Sequence, residues 1–188
     1  MFLVHKKQEP IKWKYREPIS ELLRQRLAIL PWDDIAIVCI GTDRSTGDAL
    51  GPLTGTFLQE RGVACMGTLQ DPVHAVNLSN KISDIKTSHV LAIDSALGQF
   101  ASQEYLMFSE GPLKPGTGVK KDLPGVGNWH IIGVVNISGF MENLVLSNTR
   151  LCLVYEMART IADLVSDSVR RHSLDSAVSS HTDQYAIL

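Results

Sequence analysis

Acidic and hydroxyl side chains are concentrated in one short glycine-bounded stretch, Gly41 to Pro52, which reads GTDRSTGDALGP. The stretch follows an apolar run typical of a buried strand and precedes a helical pattern, so it is predicted to be a strand-to-helix loop. In open α/β sheets, such loops at the carboxyl ends of strands carry the ligand-binding residues. A second acidic residue, Asp94, follows another apolar run in VLAIDSALG.

Asp48 and Asp94 are the two residues whose types suit catalysis at this position. If the strands that precede them are neighbours, as in a flavodoxin-like order, both carboxyl groups open into one crevice. Adjacent strands lie about 4.8 Å apart, so the two groups can approach each other closely. One of two such carboxyl groups keeps its proton near neutral pH while the other ionises. The ionised group can take a proton from water and its partner can donate one, which suits amide hydrolysis. The sequence does not assign the two roles.

Simpler interpretations of these residues stay open at this stage. Asp48 can cap the following helix, and Asp43 and Ser45 are ordinary turn residues. The two aspartates can also hold a divalent metal ion, for which a third ligand is expected and only His74 and His130 are candidates. The prediction is a site without a cofactor.

Length and composition indicate one globular domain. The chain has 188 residues, of which 44% are hydrophobic and 20% are charged. The domain is predicted to span residues 1–170, with residues 1–16 mobile, and a polar, disordered tail is predicted for residues 171–188. The formal net charge of -2 gives no general attraction to nucleic acid or to an anionic membrane. No stretch approaches the ~20 apolar residues that span a bilayer, and no secretory signal is evident, so a cytoplasmic location is predicted.

Apolar periodicity predicts alternating strands and helices. Strands are expected at 35–40, 63–66, 89–93, 104–108 and 129–137. Helices are expected at 18–30, from Pro52 to about 61, from Asp71–Pro72 onward, at 141–146 and at 151–165. This order predicts an α/β fold with a mainly parallel sheet, right-handed crossovers and helices on both faces.

A long irregular segment, Glu110–Asn128, is rich in glycine and proline. Irregular connections longer than about 12 to 15 residues are uncommon in compact domains unless they bind something or are disordered. We therefore predict a lid or substrate-binding loop. The predicted substrate-binding residues are Asp43, Arg44, Ser45 and Thr46 in the first loop and Gly116, Gly118 and Lys120 in the second.

Five segments, in this order, resemble the YyaC family of sporulation proteins over roughly residues 35–165. They are GTDRSTGDALGPL, TLQDPVHAVNL, VLAIDSALG, PGTGVKKDLPGVG and GVVNISGFMENLVLSNTRL. That family is similar to the spore germination protease, an aspartic-type endopeptidase, and more distantly to the hydrogenase maturation endopeptidases. The resemblance implies a three-layer α/β/α sandwich of the phosphorylase/hydrolase-like type.

The resemblance also implies roles for particular residues. Asp48 in GDALGP and Asp94 in AIDSALG match the acidic pair of the germination protease, and PGTGVKKDLPGVG is similar to its PGxGVGN loop. The maturation endopeptidases use acidic residues at the same two positions to bind nickel, but their histidine ligand has no secure match here. The chain is much shorter than the germination protease and has no obvious pro-segment.

The expected function is therefore hydrolysis of a peptide bond in a peptide or protein substrate during sporulation. A protein that keeps the peptidase fold but only binds a peptide or protein partner is the alternative. A third interpretation, phosphate or nucleotide binding by GTDRSTG, lacks the P-loop lysine and the GxGxxG spacing. No oligomeric state is predicted.

Overall fold

The computed structural model describes residues 11–12, 16–99, 104–115 and 125–185, and the side chains among them from residue 21 to 178. The strands are β1 (Ile11–Lys12), β2 (Ile35–Cys39), β3 (His89–Gly98), β4 (Tyr105–Glu110) and β5 (Trp129–Ile137). The helices are α1 (Arg16–Leu27), α2 (Leu50–Glu60), α3 (Leu78–Ser83), α4 (Glu142–Ser147) and α5 (Leu151–Tyr185), and a 3-10 turn spans Trp32–Asp34.

The strands form one sheet in the order β1-β4-β5-β3-β2. β2, β3 and β5 are parallel neighbours, whereas β4 runs antiparallel to β5 and β1 runs antiparallel to β4. In the described part of the chain, four of the five strands therefore run in the same direction. The strands that precede Asp48 and Asp94, β2 and β3, are neighbours, which is the condition for a shared crevice.

Alternate residues of the strands are buried on opposite faces of the sheet, because side chains of a strand point alternately to its two sides. Ile37, Leu91 and Ile131 belong to a core shared with α1, α2 and α5. Val38 and Ala92 belong to a second core on the other face, which Leu78 of α3 helps to close. The protein is thus a three-layer α/β/α sandwich, with its thicker helical layer on one side.

Two predicted strands differ from the structure by more than two residues. β3 continues to Gly98, beyond the predicted end at Ile93, because it keeps pairing with β5. The segment 63–66 forms only an isolated parallel bridge, between Met66 and Val38. Gly67 follows with a positive φ of 88°, and this turn ends the pairing.

The helix predicted to begin at Asp71–Pro72 begins instead at Leu78, so this prediction is wrong. Val73 pairs with Ile40 at the end of β2, and this pairing holds the segment extended. The Asn77 side chain then closes a turn, accepting a hydrogen bond from the His74 N–H (2.8 Å) and donating one to the Pro72 carbonyl (2.9 Å). A tertiary contact has therefore overridden a local helix-start signal.

The two ends of the chain also differ from the prediction. Ile11 and Lys12 form an edge strand on β4, whereas residues 1–10 and 13–15 lie outside the described residues. The segment from residue 171, predicted to be a disordered tail, is helical through Tyr185 because α5 contains no glycine or proline that would end it. His172 also contacts Asp33 (Nε2 to Oδ2, 2.9 Å). Of the described helices, none combines the length and the apolar character needed to cross a membrane.

Candidate active site

Backbone hydrogen bonds shape the loop that carries Asp48. The Thr42 N–H donates to the Asp48 carbonyl (3.2 Å), which closes the loop, and the Gly47 N–H donates to the Leu146 carbonyl near the end of α4 (2.9 Å). Gly41 has a φ of 149°, and a side chain there would overlap with the Asp48 backbone. The loop is consequently held between the end of β2 and α4.

Asp48 does not cap α2. The N-cap residue is Ala49, and no side chain bonds to the free N–H groups of the helix. The Asp48 side chain is half-buried and lines a cavity instead. The helix-cap interpretation of this residue is therefore wrong.

Asp94 lies within β3 rather than at its end. The last residue pair between β2 and β3 joins Cys39 to Ile93, so Asp94 is the first β3 residue beyond the end of β2. Its side chain is half-buried, and its Oδ1 accepts a hydrogen bond from the Ser95 N–H (2.7 Å). Two residues further on, the pairing with β5 shifts register between Ala96 and Leu97. Bulges of this kind are common beside active sites.

Asp48 and Asp94 line the same cavity, whose volume is about 480 Å³. Its walls come from the end of β2, from β3, from α4 and from the segments around residues 74 and 114. The titratable residues that line it are Asp48, His74, Asp94, Lys114 and Glu142. The structure thus brings together two acidic residues that are 46 positions apart in the sequence (94 minus 48).

Both aspartates have a raised pKa. Burial raises the pKa of Asp94 to about 8; the Ser95 N–H opposes this, and the charge of Asp48 adds to it. Burial also raises the pKa of Asp48, by less, and the Ser45 hydroxyl lowers it. Asp48 therefore ionises first, and Asp94 keeps its proton at neutral pH.

The raised pKa of Asp94 predicts that the stability of the folded protein depends on pH. The folded protein holds the Asp94 proton up to about pH 8, whereas an unfolded chain loses it near the ordinary value of 3.8. The folded state binds more protons between these values, so the free energy of unfolding falls as pH rises, by up to about 1.4 kcal/mol per pH unit. Between pH 6 and pH 8, we expect the free energy of unfolding of Asp94→Asn to rise by about 2 kcal/mol relative to that of the wild type. Urea denaturation at the two pH values measures this change.

Asp43→Asn provides the control for this measurement, because it removes an exposed carboxylate from the same loop. It is expected to follow the wild type at both pH values. If the free energies of unfolding of the wild type and Asp94→Asn differ by the same amount at pH 6 and pH 8, Asp94 is not protonated in the folded protein.

The wall formed by α4 is anchored to the sheet. Asn136, at the end of β5, donates hydrogen bonds to the Val145 carbonyl (3.3 Å) and to the Thr149 hydroxyl (3.2 Å). The Ser138 hydroxyl donates to Glu142 Oε1 (2.7 Å), which orients this carboxylate at the edge of the cavity. The α4 wall therefore has a defined position relative to the aspartates.

His74, one of the two candidate ligands, lines the cavity. The Gly41 N–H donates to the Val73 carbonyl (2.8 Å), so the residue before His74 is attached to the strand end that precedes the Asp48 loop. No local pattern predicts this pairing. His130, the other candidate ligand, bonds through Nδ1 to the Gly111 carbonyl (2.9 Å) and does not line the cavity.

None of the predicted substrate-binding residues that the structure describes lines the cavity. Asp43 and Arg44 are exposed, and Ser45 and Thr46 are half-buried; none of the four lines the cavity. Gly116, Gly118 and Lys120 lie outside the described residues. The start of the same glycine-rich segment does reach the cavity, through Leu113, Lys114 and Pro115.

The donor set at this site does not fit a metal ion. Within residues 16–99, 104–115 and 125–185, no group of three or more His, Cys, Asp or Glu side chains has the arrangement of a metal site. The described residues therefore supply side chains for acid–base chemistry and not a set of metal ligands.

The fold and the site define an α/β/α protein with a paired-carboxyl cavity at the ends of neighbouring parallel strands. Residues 6–164 match a family described as a protein of unknown function, DUF1256, and the chain belongs to this family. The chain is similar to the uncharacterized protein YyaC of Bacillus subtilis (strain 168), with 50% identity over 155 residues, 79% of this chain and 76% of that protein.

A crystal structure of a NiFe hydrogenase maturation protease, HycI from Thermococcus kodakarensis KOD1, is also similar to this chain. The TM-score is 0.48 at 17% sequence identity, and the match covers 72% of this chain and 92% of that chain.

Proposed function

We propose that this protein hydrolyses a peptide bond with Asp48 and Asp94 as an acid pair. One observation carries the proposal: the two carboxyl groups share a cavity and lie close enough for the charge of one to raise the pKa of the other. Burial raises the pKa of Asp94 more than that of Asp48. At neutral pH the pair therefore has one ionised and one protonated carboxyl group.

The different environments of the two residues support separate roles. Asp48 is the base, because burial raises its pKa less than that of Asp94, so its carboxylate ionises first. Asp94 is the acid, because burial holds its proton up to about pH 8. A general base and a general acid must be in opposite protonation states before the reaction starts, and this pair meets that requirement.

The proposed reaction proceeds in two steps. Asp48 takes a proton from a water molecule, the water oxygen bonds to the peptide carbonyl carbon, and Asp94 gives its proton to the carbonyl oxygen. The tetrahedral intermediate is therefore uncharged. Asp48 then passes its proton to the leaving nitrogen, the C–N bond breaks, and one hydroxyl of the intermediate returns a proton to Asp94. The products are a carboxylic acid and an amine, and both aspartates regain their starting states.

A peptide in extended form is the proposed substrate. We propose that the loop with exposed Asp43 and Arg44 contacts such a chain on one side of the scissile bond, and that the segment with Gly116, Gly118 and Lys120 contacts it on the other. The neighbouring residues Thr42 and Lys114 line the cavity. The resemblance to the germination protease supports a substrate made during sporulation. A cytoplasmic location, with no role for nucleic acid or membrane, remains part of the proposal.

The alternative function, partner binding without cleavage, is favoured by one observation. Phe140 and Met141 precede α4, which forms a wall of the cavity, and their side chains are 95% and 60% exposed. Exposed apolar side chains beside a cavity are typical of surfaces that bind peptides or proteins. Such a surface serves a peptidase and a binding protein equally well, so an activity measurement must decide between them.

Terminal labelling of a treated extract tests the proposal. We expect the purified protein, incubated with an extract of sporulating Bacillus subtilis cells, to produce new peptide termini detectable by mass spectrometry. The same termini should be absent with Asp48→Asn and present with Asp84→Asn, the matched change at an exposed position that does not line the cavity. An unchanged extract together with a partner retained by the wild type and by Asp48→Asn would support the binding function instead.

A further inference from the structure

We propose that His74 is a third catalytic residue of this site, whose Nε2–H donates a hydrogen bond to the carbonyl oxygen of the scissile peptide. The inference rests on the proposed peptidase function. Its starting point is the cavity, in which His74 lies on the wall formed by the segment after Val73, together with Asp48 and Asp94.

The hydrogen bonds of His74 determine which ring nitrogen carries the proton. The Val76 N–H donates to Nδ1 (3.2 Å), so Nδ1 must be the unprotonated nitrogen of the neutral ring. Nε2 then carries the proton, and it makes no hydrogen bond with any residue in the described ranges. Within the described part of the chain, the Nε2–H of the neutral imidazole is thus a donor without a partner, on a half-buried residue of the cavity wall.

The backbone around His74 is fixed on both sides. Asn77 bonds to the His74 N–H and to the Pro72 carbonyl, and the Val73 carbonyl accepts a hydrogen bond from Gly41. A donor that is already oriented before substrate binds needs no reorganisation when charge develops. His74 therefore has the preorganisation expected of a group that stabilises a transition state.

A carbonyl oxygen can accept two hydrogen bonds, one at each lone pair. Asp94 supplies the proton at one lone pair in the proposed reaction, and His74 Nε2–H occupies the other. The imidazole loses no proton in this role, because it only polarises the carbonyl group as the water oxygen adds. The role also explains why a histidine lines the cavity when the donor set does not fit a metal ion.

Kinetics of two His74 variants test this role on a synthetic peptide that spans the cleavage site found by terminal labelling. His74→Phe keeps a ring but has no donor, and we expect kcat to fall about 10²-fold with KM changed less than about threefold. His74→Gln supplies an amide N–H and should recover part of the loss. His130→Gln, at a half-buried histidine outside the cavity, should match the wild type.

Nitrogen-15 chemical shifts of the His74 ring provide a readout that needs no substrate. We expect the neutral ring to carry its proton on Nε2, and a proton on Nδ1 would overturn the inference. Cleavage that depends on Asp48 but is unchanged in His74→Phe would overturn the inference alone. Failure of the wild type to cleave any peptide would overturn the proposed function and this inference with it.

Discussion

Asp94→Asn is expected to lower the rate of peptide-bond cleavage about 10³-fold while the protein stays folded. Asparagine fills nearly the same space as aspartic acid but has no acidic proton to give to the carbonyl oxygen. Asp48→Asn should lower the cleavage rate by a similar factor, because an amide cannot take a proton from water. The rate is measured on the peptide identified by terminal labelling, and folding is checked by circular dichroism and urea denaturation.

Asp84→Asn is the matched control, since Asp84 is an exposed aspartate at the end of α3 that does not line the cavity. Its rate should stay within about twofold of the wild type, an ordinary result for a surface substitution away from the chemistry. If Asp48→Asn and Asp94→Asn both cleave at the wild-type rate, the acid-pair mechanism is excluded.

The pH dependence of cleavage provides an independent check of the roles. The rate should fall as the pH rises through about 8, because Asp94 loses the proton that it must donate. The rate should fall again at acid pH, where Asp48 becomes protonated. A rate that keeps rising above pH 8 would show that Asp94 is not the acid.

Gly51→Ala is expected to destabilise the protein by about 4 kcal/mol or more, the size of effect that marks a severe steric conflict. Alanine normally stabilises a helix by about 0.5 to 1 kcal/mol relative to glycine, so the sign here is reversed. Gly51 is in the first turn of α2, and a Cβ atom there would overlap with the carbonyl oxygen of Ile40 at the end of β2. The helix can approach the strand only because this side chain is missing.

Gly62→Ala is the matched control for this substitution. Gly62 has a positive φ of 76° just after α2, but a Cβ atom there meets nothing within 4 Å. Gly62→Ala should lower the free energy of unfolding by only about 1 kcal/mol, because alanine is strained in the left-handed conformation. Urea denaturation of both variants measures the difference. A Gly51→Ala protein as stable as Gly62→Ala would mean that α2 can shift away from β2 at little cost.

The sequence alone was sufficient for those features that local periodicity determines. The β5 strand, Trp129–Ile137, was predicted at its observed bounds, and the apolar run before the Asp48 loop was predicted as a buried strand one residue longer than β2. The structure makes β2 and β3 neighbours, which is the condition that the predicted shared crevice required. Neighbouring parallel strands end at the same edge of the sheet, so this arrangement is sufficient to bring two distant aspartates to one edge.

Only the tertiary structure decided the features that depend on contacts between distant segments. Val73 pairs with Ile40, which prevents a helix from starting at Asp71 and brings His74 to the cavity wall. The order of proton loss from the two carboxyl groups likewise depends on how deeply each is buried and on which hydroxyl or N–H it meets. Burial and long-range pairing are properties of the whole packed chain, so no local sequence pattern specifies them.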